Sequence, residues 1–481
     1  MPIDAMAAPN IVRKIEPVFV SGAFWFFLTI VLLAPLAYGS AHLWSYSLLS
    51  ILTGAAVAFW AIAAMLNEQN YAMRMARWVL PAVMLVAVLG WIFVQGSSVV
   101  PAEWHHPLWA QVRDALANPS IQGTISLSPD HIPDTLARIG TYAAVFWLAM
   151  QYGRSPARAN LVFWAIAVTG LLYAIYGIWA YLSGSGMILF SEKWAYQRSL
   201  TGTFVNRNHY AVFAGMGMIT SFGLAVRYLK RDASGAFDSS RRFLNSMENL
   251  TLPVFPLTGI CVVTGSALLM TQSRGGVTFT AIALIALVFM LQAGGTLRKR
   301  SSLALLATLV ALGTVMFFIS GGGLADRVSG KLLVSNRDII HNIALDAIAD
   351  APLTGHGIGS FPSLFHLYRD ADFPAISVAF AAAHSVYLEF AAEVGVIAAA
   401  LYFGMLLLIV VRCFIGARSR RRNQLYPAIG AAVGVLVGLH SYFDFGPQIP
   451  GVAVTFAALL GVAYAQSWPT ARRRPVQSGE K

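Results

Sequence analysis

Apolar residues run along this chain in long blocks, and polar residues collect in the gaps between them. A helix that crosses a bilayer needs about 20 mostly apolar residues. Twelve blocks meet that pattern, at roughly 18–38, 44–66, 78–96, 134–151, 159–182, 208–229, 252–272, 276–293, 302–319, 383–411, 425–443 and 450–467. The first is long and is followed by no small-residue cleavage site, so it reads as an anchor, not a removable leader. Three gaps are long, at about 97–133, 183–207 and 320–382. Within the last, Ile339, Ile340, Ile343, Ala344, Ala347 and Ile348 recur on one helical face, with Asp338, Asp346 and Asp350 off it. Pro352 stops that helix, and Gly355, Gly357 and Gly359 follow as a tight-turning stretch. The pattern predicts an all-α, polytopic membrane protein of about twelve spans, with a large loop that carries amphipathic helix.

Composition agrees. Of the 481 residues, 57% are hydrophobic and 11% charged, against about 25% charged in a soluble domain. An ordinary cytosolic enzyme is excluded. Charge then sets orientation, because Lys and Arg favour the cytoplasmic side of short loops. With the N-terminus inside, 23 of the 33 cations fall in cytoplasmic segments, together with seven of the 21 acids. The net charge of +12 is therefore a topology signal and does not point to nucleic acid. Both termini are expected in the cytoplasm and the long gaps on the outer side.

Chemistry has few places to sit. Most spans hold no charge, which argues against an ion-coupled transporter or a flippase with a polar core. Cys261 and Cys413 form neither a disulfide framework nor a zinc spacing. His341, His356, His366, His384 and His440 are scattered, without metal-ligand spacing. No phosphate-binding loop or dinucleotide fingerprint occurs. No metal and no cofactor is expected, and the energy for any reaction has to arrive in the substrate.

Polar residues cluster instead at the outer ends of spans. Asn206, Arg207 and Asn208 open the sixth, where free helix N–H groups suit an anion; a plain polar cap with a snorkelling arginine has the same pattern. Arg274 lies in Gln272-Ser273-Arg274-Gly275-Gly276, a hairpin with almost no loop, and its guanidinium can grip phosphate oxygens. Arg337 precedes Asp338 at the start of the amphipathic helix. His384 starts the tenth span and suits general-base work. Glu389 and Glu393 share a helix face a turn or two further on and need partners, an arginine such as Arg274 being a sensible one. His440 and Asp444 are i, i+4 neighbours at the end of the eleventh span, either as an imidazole–carboxylate pair or as a helix-end salt bridge.

In their order these segments resemble the O-antigen ligase family of bacterial inner-membrane proteins, which includes O-antigen and exopolysaccharide polymerases. Gly202-Thr203-Phe204-Val205-Asn206-Arg207-Asn208-His209-Tyr210-Ala211 is similar to the family's G-x-F-x-N-x-N-x-x-A, and Ser273-Arg274-Gly275-Gly276 to its S-R-G segment. Arg337, followed by Asp350-Ala351-Pro352-Leu353-Thr354-Gly355-His356-Gly357-Ile358-Gly359-Ser360-Phe361, resembles its R…D-x-P-L-x-G-x-G-x-G-x-F stretch. His384, with Tyr387-Leu388 and Glu393-Val394-Gly395, resembles H-N-x-x-L…E-x-G, with Ser385 where the family usually has Asn. His440-Ser441…Asp444-Phe445…Gln448-Ile449-Pro450 and the segment from Pro35 to Trp44 are further echoes.

The resemblance implies a division into spans one to five (1–200), a ligase-like core (201–412, with the 320–382 loop) and the last two spans with a basic tail (413–481). It implies metal-independent transfer of a glycan from undecaprenyl diphosphate to an acceptor hydroxyl at the periplasmic face of the inner membrane. Lipid A–core is the ligase acceptor, a lipid-linked repeat unit the polymerase acceptor, and a Ser or Thr side chain the protein-glycosylating one. By resemblance, Arg207, Arg274 and Arg337 would hold the diphosphate and His384 would orient or deprotonate the acceptor. Asn206, Asn208, Glu389, Glu393, His440 and Asp444 would support them.

Overall fold

The computed structural model of the protein describes residues 10–66, 73–233, 240–297, 299–300, 302–303, 305–307, 336–369, 382–420 and 422–468. Fifteen α-helices are defined among them: α1 (Asn10–Leu33), α2 (Leu43–Leu66), α3 (Val79–Gln95), α4 (Leu108–Ala115), α5 (Ile132–Tyr152), α6 (Pro156–Leu182), α7 (Arg207–Ala233), α8 (Ser240–Met270), α9 (Arg274–Ala293), α10 (Asn336–Asp350), α11 (Phe361–Tyr368), α12 (Val386–Val394), α13 (Val396–Ser419), α14 (Leu425–His440) and α15 (Pro450–Gln466). One two-stranded hairpin, β1 (Met187–Ile188) with β2 (Ser191–Glu192), lies between α6 and α7. Helices occupy eleven of the twelve apolar blocks. The block at 302–319 lies mostly outside the described residues, as do 320–335 and 370–381 of the long loop and the basic tail.

Among the described residues, five helices are long and apolar enough to cross a membrane: α2, α6, the Arg207–Tyr228 part of α7, α9 and α13. Apolar segments in α1, α3, α8, α14 and α15 are shorter. Burial sorts them into centre and rim. The apolar window of α7 is 89% buried, that of α13 28% and that of α2 22%. Ile51 and Trp44 on α2, and Leu407 and Phe414 on α13, are exposed. Rim helices that stay apolar on their outward face need lipid as solvent. The chain is a multi-pass, all-α membrane protein.

Small residues let the central helices touch. Gly170 of α6 meets Gly217 of α7 backbone to backbone, and Gly430 of α14 meets Ala463 of α15. With lipid outside, close packing of this kind replaces the hydrophobic drive that holds soluble bundles together. Ala211, Met216, Leu284, Leu436 and Leu460 belong to the single large core that results.

The block at 383–411 is not one helix. It breaks at Gly395 (φ 81°, ψ 159°) into α12 and α13. A helix end inside a bundle leaves carbonyls without intrahelical partners, and here the last three of α12 find donors. The amides of His356 and Gly357 donate to the carbonyls of Ala392 and Glu393 at 3.0 and 2.8 Å. Gln95 Nε2 donates to the Glu393 carbonyl at 2.9 Å, and Trp91 Nε1 to that of Val394 at 2.8 Å. The glycine-rich stretch after Pro352 thus serves to satisfy the end of α12. The amphipathic helix is α10, with Ile340, Ile343, Ala344 and Ala347 buried and Asp338, Asp346 and Asp350 exposed.

Gly395 occupies a conformation open almost only to glycine, and a Cβ there would meet the Leu353 carbonyl. Gly395→Ala is expected to lower the detergent-solubilised protein's stability by about 1–3 kcal/mol. Gly404→Ala, inside α13 with only Met84 Cε at 3.5 Å, is expected to be neutral or stabilising. Thermal midpoints of the two variants test the break; equal midpoints would sink it.

Candidate functional site

Asp444 lies in the turn between α14 and α15 and is 1% exposed. A buried carboxylate needs hydrogen bonds and opposite charge, and three separate segments supply them. From α7, Asn208 Nδ2 donates to Oδ2 and His209 Nε2 sits 3.3 Å from Oδ1. From its own turn, the Phe445 amide donates to Oδ1 at 2.8 Å. The imidazoles of His440 and His384 also act on it. Burial alone would push the carboxyl upward; the His209 contact and the three imidazoles outweigh that and hold it well below the usual aspartate range.

Local sequence explains how the segments arrive. Asn206 caps α7: its Oδ1 accepts from the Asn208 amide at 2.8 Å, and its carbonyl accepts from the Tyr210 amide at 3.2 Å. That places Asn208 and His209 in the first helical turn, beside Asp444. α8 and α9 are joined by three residues, with Gln272 in a left-handed conformation (φ 55°). Ser273 then caps α9 by accepting from the Gly276 amide at 3.2 Å, and its hydroxyl donates to Asn208 Oδ1 at 2.8 Å. Asn208 therefore bridges the α9 cap to Asp444. Arg274 is the first residue of α9 and is exposed. Its neighbour Gly275 faces the His440 ring: a Cβ on Gly275 would lie 3.8 Å from Nε2.

His384 precedes α12 with φ 54°, an uncommon conformation for a residue with a side chain. Its ring centre is 5.3 Å from that of Phe445, which stacks edge-on against His209 at 4.6 Å. Ser385 is buried and caps α12, its hydroxyl accepting from the Leu388 amide at 3.5 Å. A serine and an asparagine are equally good caps, so the departure at 385 keeps the capping role. The Val386 amide donates to the Ser441 carbonyl at 2.9 Å, which pins this turn to the end of α14.

Glu389 and Glu393 are both buried, and their donors are amides. Glu389 Oε2 accepts from the Ala383 amide at 2.6 Å, and Oε1 accepts from Gln448 Nε2 at 2.9 Å. Glu393 Oε1 accepts from the Phe361 amide at 3.0 Å. Sequence reasoning offered an arginine such as Arg274 for these carboxylates; the structure supplies backbone and glutamine N–H groups.

The structure thus gathers Asn208, His384, His440 and Asp444 into one cluster, with Arg274 at its edge. Arg207 turns toward the preceding loop, where Nη1 donates to Ser199 Oγ at 3.2 Å and the guanidinium lies 5.4 Å from the Tyr196 ring centre. Arg337 is in the first turn of α10, and its side chain lies outside the described residues. Sequence reading missed His209, Ser273 and Gln448 as site residues. His209 had a signal, since it follows Asn208 in a capped first turn. Ser273 and Gln448 had none beyond their place in a motif. Among the described residues, no three of His, Cys, Asp and Glu are placed to share a metal ion.

Residues 259–403 match the family model described as O-antigen ligase. Over that stretch the chain is similar to the O-antigen ligase family. The match spans the end of α8, then α9, α10, α11, α12 and the start of α13, and so includes Arg274, Arg337, His384, Glu389 and Glu393. No curated protein matches the chain. The match supports glycosyl transfer of the ligase or polymerase type in surface polysaccharide assembly, with lipid-linked glycan and acceptor substrates.

A depressed carboxyl contributes stability that is complete above its unfolded value, near 3.9 for aspartate, and is lost as pH falls toward the folded value. Thermal midpoints of wild type and Asp444→Asn are therefore expected to differ most above pH 4 and to converge below it. A gap that stays constant from pH 4 down to the acid limit of folding would contradict the ion pairing of Asp444.

Proposed function

We propose that this protein transfers a glycan from undecaprenyl diphosphate to an acceptor hydroxyl, without metal or nucleotide, at the periplasmic face of the bacterial inner membrane. Lipid A–core is the acceptor this reading favours, as in a ligase. In the accompanying topology, twelve spans leave both termini in the cytoplasm. The observation that carries the reading is the meeting of His384, Asp444 and the Arg274 end of α9, three pieces distant in sequence.

Each piece has a role in the bond changes. The acceptor oxygen attacks the anomeric carbon, and the bond from that carbon to the diphosphate oxygen breaks. His384 takes the hydroxyl proton, or orients the hydroxyl as it is lost. Asp444, ionised and buried nearby, stabilises the imidazolium that forms. The departing diphosphate gains negative charge, which Arg274, with Arg207 and Arg337, neutralises most strongly at the transition state. The N-termini of α7 and α9 add donor N–H groups and positive dipole ends at the same place. His440 borders the α9 turn and holds Asp444 in register through the 3.0 Å bond from the Asp444 amide to its carbonyl.

Reconstitution tests this directly. Purified protein is mixed with lipid-linked oligosaccharide and lipid A–core, with a chelator and without ATP, and products are followed on a gel. A shift of lipid A–core is the expected result; a ladder on the polyprenyl carrier without lipid A–core would make the enzyme a polymerase. Arg274→Ala and His384→Ala are each expected to cut transfer at least ~100-fold and to leave membrane insertion intact. Wild-type turnover in both would place the site elsewhere.

A further inference from the structure

After α6 the chain folds back along the helix it has just left. α6 crosses the apolar layer and carries one continuous exposed stripe: Leu161, Val168, Leu172, Ile175, Trp179 and Leu182. Their spacing keeps them on a single helical face. At about 1.5 Å per residue the stripe is ~32 Å tall, which matches a hydrocarbon layer of about 30 Å. Leu182 therefore marks the edge of the apolar layer at this end of the bundle. The chain turns through Gly184 and Gly186, both with positive φ. The Leu189 amide then donates to the Tyr176 hydroxyl at 2.6 Å. Tyr176 is about 9 Å back along the helix axis from Leu182, and helical side chains lean further toward the N-terminus. It neighbours Leu172 and Trp179 on the helix surface. The tip of the β1–β2 hairpin thus lies at the level of the last turns of α6, inside the edge that Leu182 marks.

The tip has the wrong chemistry for a turn in water. Ile188 pairs with Ser191, so the turn consists of Leu189 and Phe190. Two-residue hairpin turns favour Asn, Asp or Gly, which accept positive φ. Here Leu189 takes φ 54° and Phe190 is 94% exposed. A turn that sets two apolar residues against its own backbone preference has its gain elsewhere. The other side of the hairpin leans on the start of α2. The Tyr38 hydroxyl donates to Ser191 Oγ at 2.6 Å, and the Trp194 ring centre lies 6.3 Å from that of His42. Exposed Leu43 and Trp44 follow at once. Trp44, Trp179 and Trp194 are all exposed, and indoles favour the boundary between lipid and water. The hairpin is therefore held between the lipid-facing ends of two spanning helices, α2 and α6.

We propose that the hairpin is a membrane-inserted wedge, with Leu189 and Phe190 among the acyl chains and Trp194 at the headgroup boundary. The partner of its exposed face is lipid, because that face continues the outward stripe of α6. Lys193 Nζ donates to the Ser199 carbonyl at 2.6 Å, and Ser199 Oγ accepts from Arg207. The wedge thus ties the loop that meets Arg207 to the bilayer edge. The inference is independent of the reaction assigned to the transfer site.

The test places a nitroxide label on Phe190→Cys and on Gln197→Cys, each in the full chain in phosphatidylcholine nanodiscs. Gln197 is exposed and lies beyond the hairpin; wild type supplies the background from Cys261 and Cys413. Collisions with oxygen, which concentrates in lipid, are compared with collisions with a water-soluble nickel chelate. The balance is expected to favour oxygen at position 190 and the chelate at position 197. A bimane label is likewise expected to lose more fluorescence at 190 than at 197 when the acyl chains are brominated. Leu189→Cys gives the same reading if Phe190→Cys does not fold. Chelate access at 190 equal to that at 197 would put the tip in water. Shielding from both reagents would put it against protein, a second copy of the chain included. Either result would overturn the proposal.

Discussion

One end of this helix bundle depends on a carboxylate that has been taken out of water. Asp444 can stay ionised only if donors surround it, and no single helix offers enough of them. Asn208 and His209 come from α7, and His384 comes from the turn before α12. His440 lies one turn back on α14. Satisfying one buried charge therefore fixes the relative placement of helices that are far apart in the chain. The same network reaches α9, since Ser273 both caps that helix and donates to Asn208.

The rest of the bundle is built to allow this. Small residues bring α6, α7, α14 and α15 into backbone contact, which leaves little room for the central helices to slide. α12 stops after nine residues, and its open carbonyls are taken up by the 356–357 amides and by Gln95 and Trp91. A continuous span would have carried its first turns straight on along the axis of α13. The break frees α12 to present His384 while α13 continues through the apolar layer.

Much of this was legible in the amino-acid order. Apolar block length marked the helices, because lipid requires about 20 apolar residues in a row. The alternation of Ile and Asp along 338–350 marked the amphipathic helix, because a 3.6-residue period survives in any sequence that buries one face. His440 and Asp444 were readable as neighbours from i, i+4 spacing alone. The break at Gly395 was not legible, since α12 and α13 are both apolar and the signal is a single glycine whose Cβ is excluded by the Leu353 carbonyl, distant in the chain. The donors to Glu389 and Glu393 were hidden for a related reason: backbone amides look alike at every position, whereas an arginine announces itself. Arg207 and Arg274 look equivalent in sequence and differ in the fold, because one is drawn to Ser199 and Tyr196 while the other opens a helix beside His440.

Gln448 couples two parts of the site mechanically. It sits in the same turn as Asp444 and donates to Glu389, whose other oxygen holds the Ala383 amide next to His384. The backbone that carries His384 and the backbone that carries Asp444 thus hang from one carboxylate. When this end of the bundle shifts, both are carried in the same direction, so their separation changes less than either position does. Such an end can move as one piece while the spacing of His384 and Asp444 is kept.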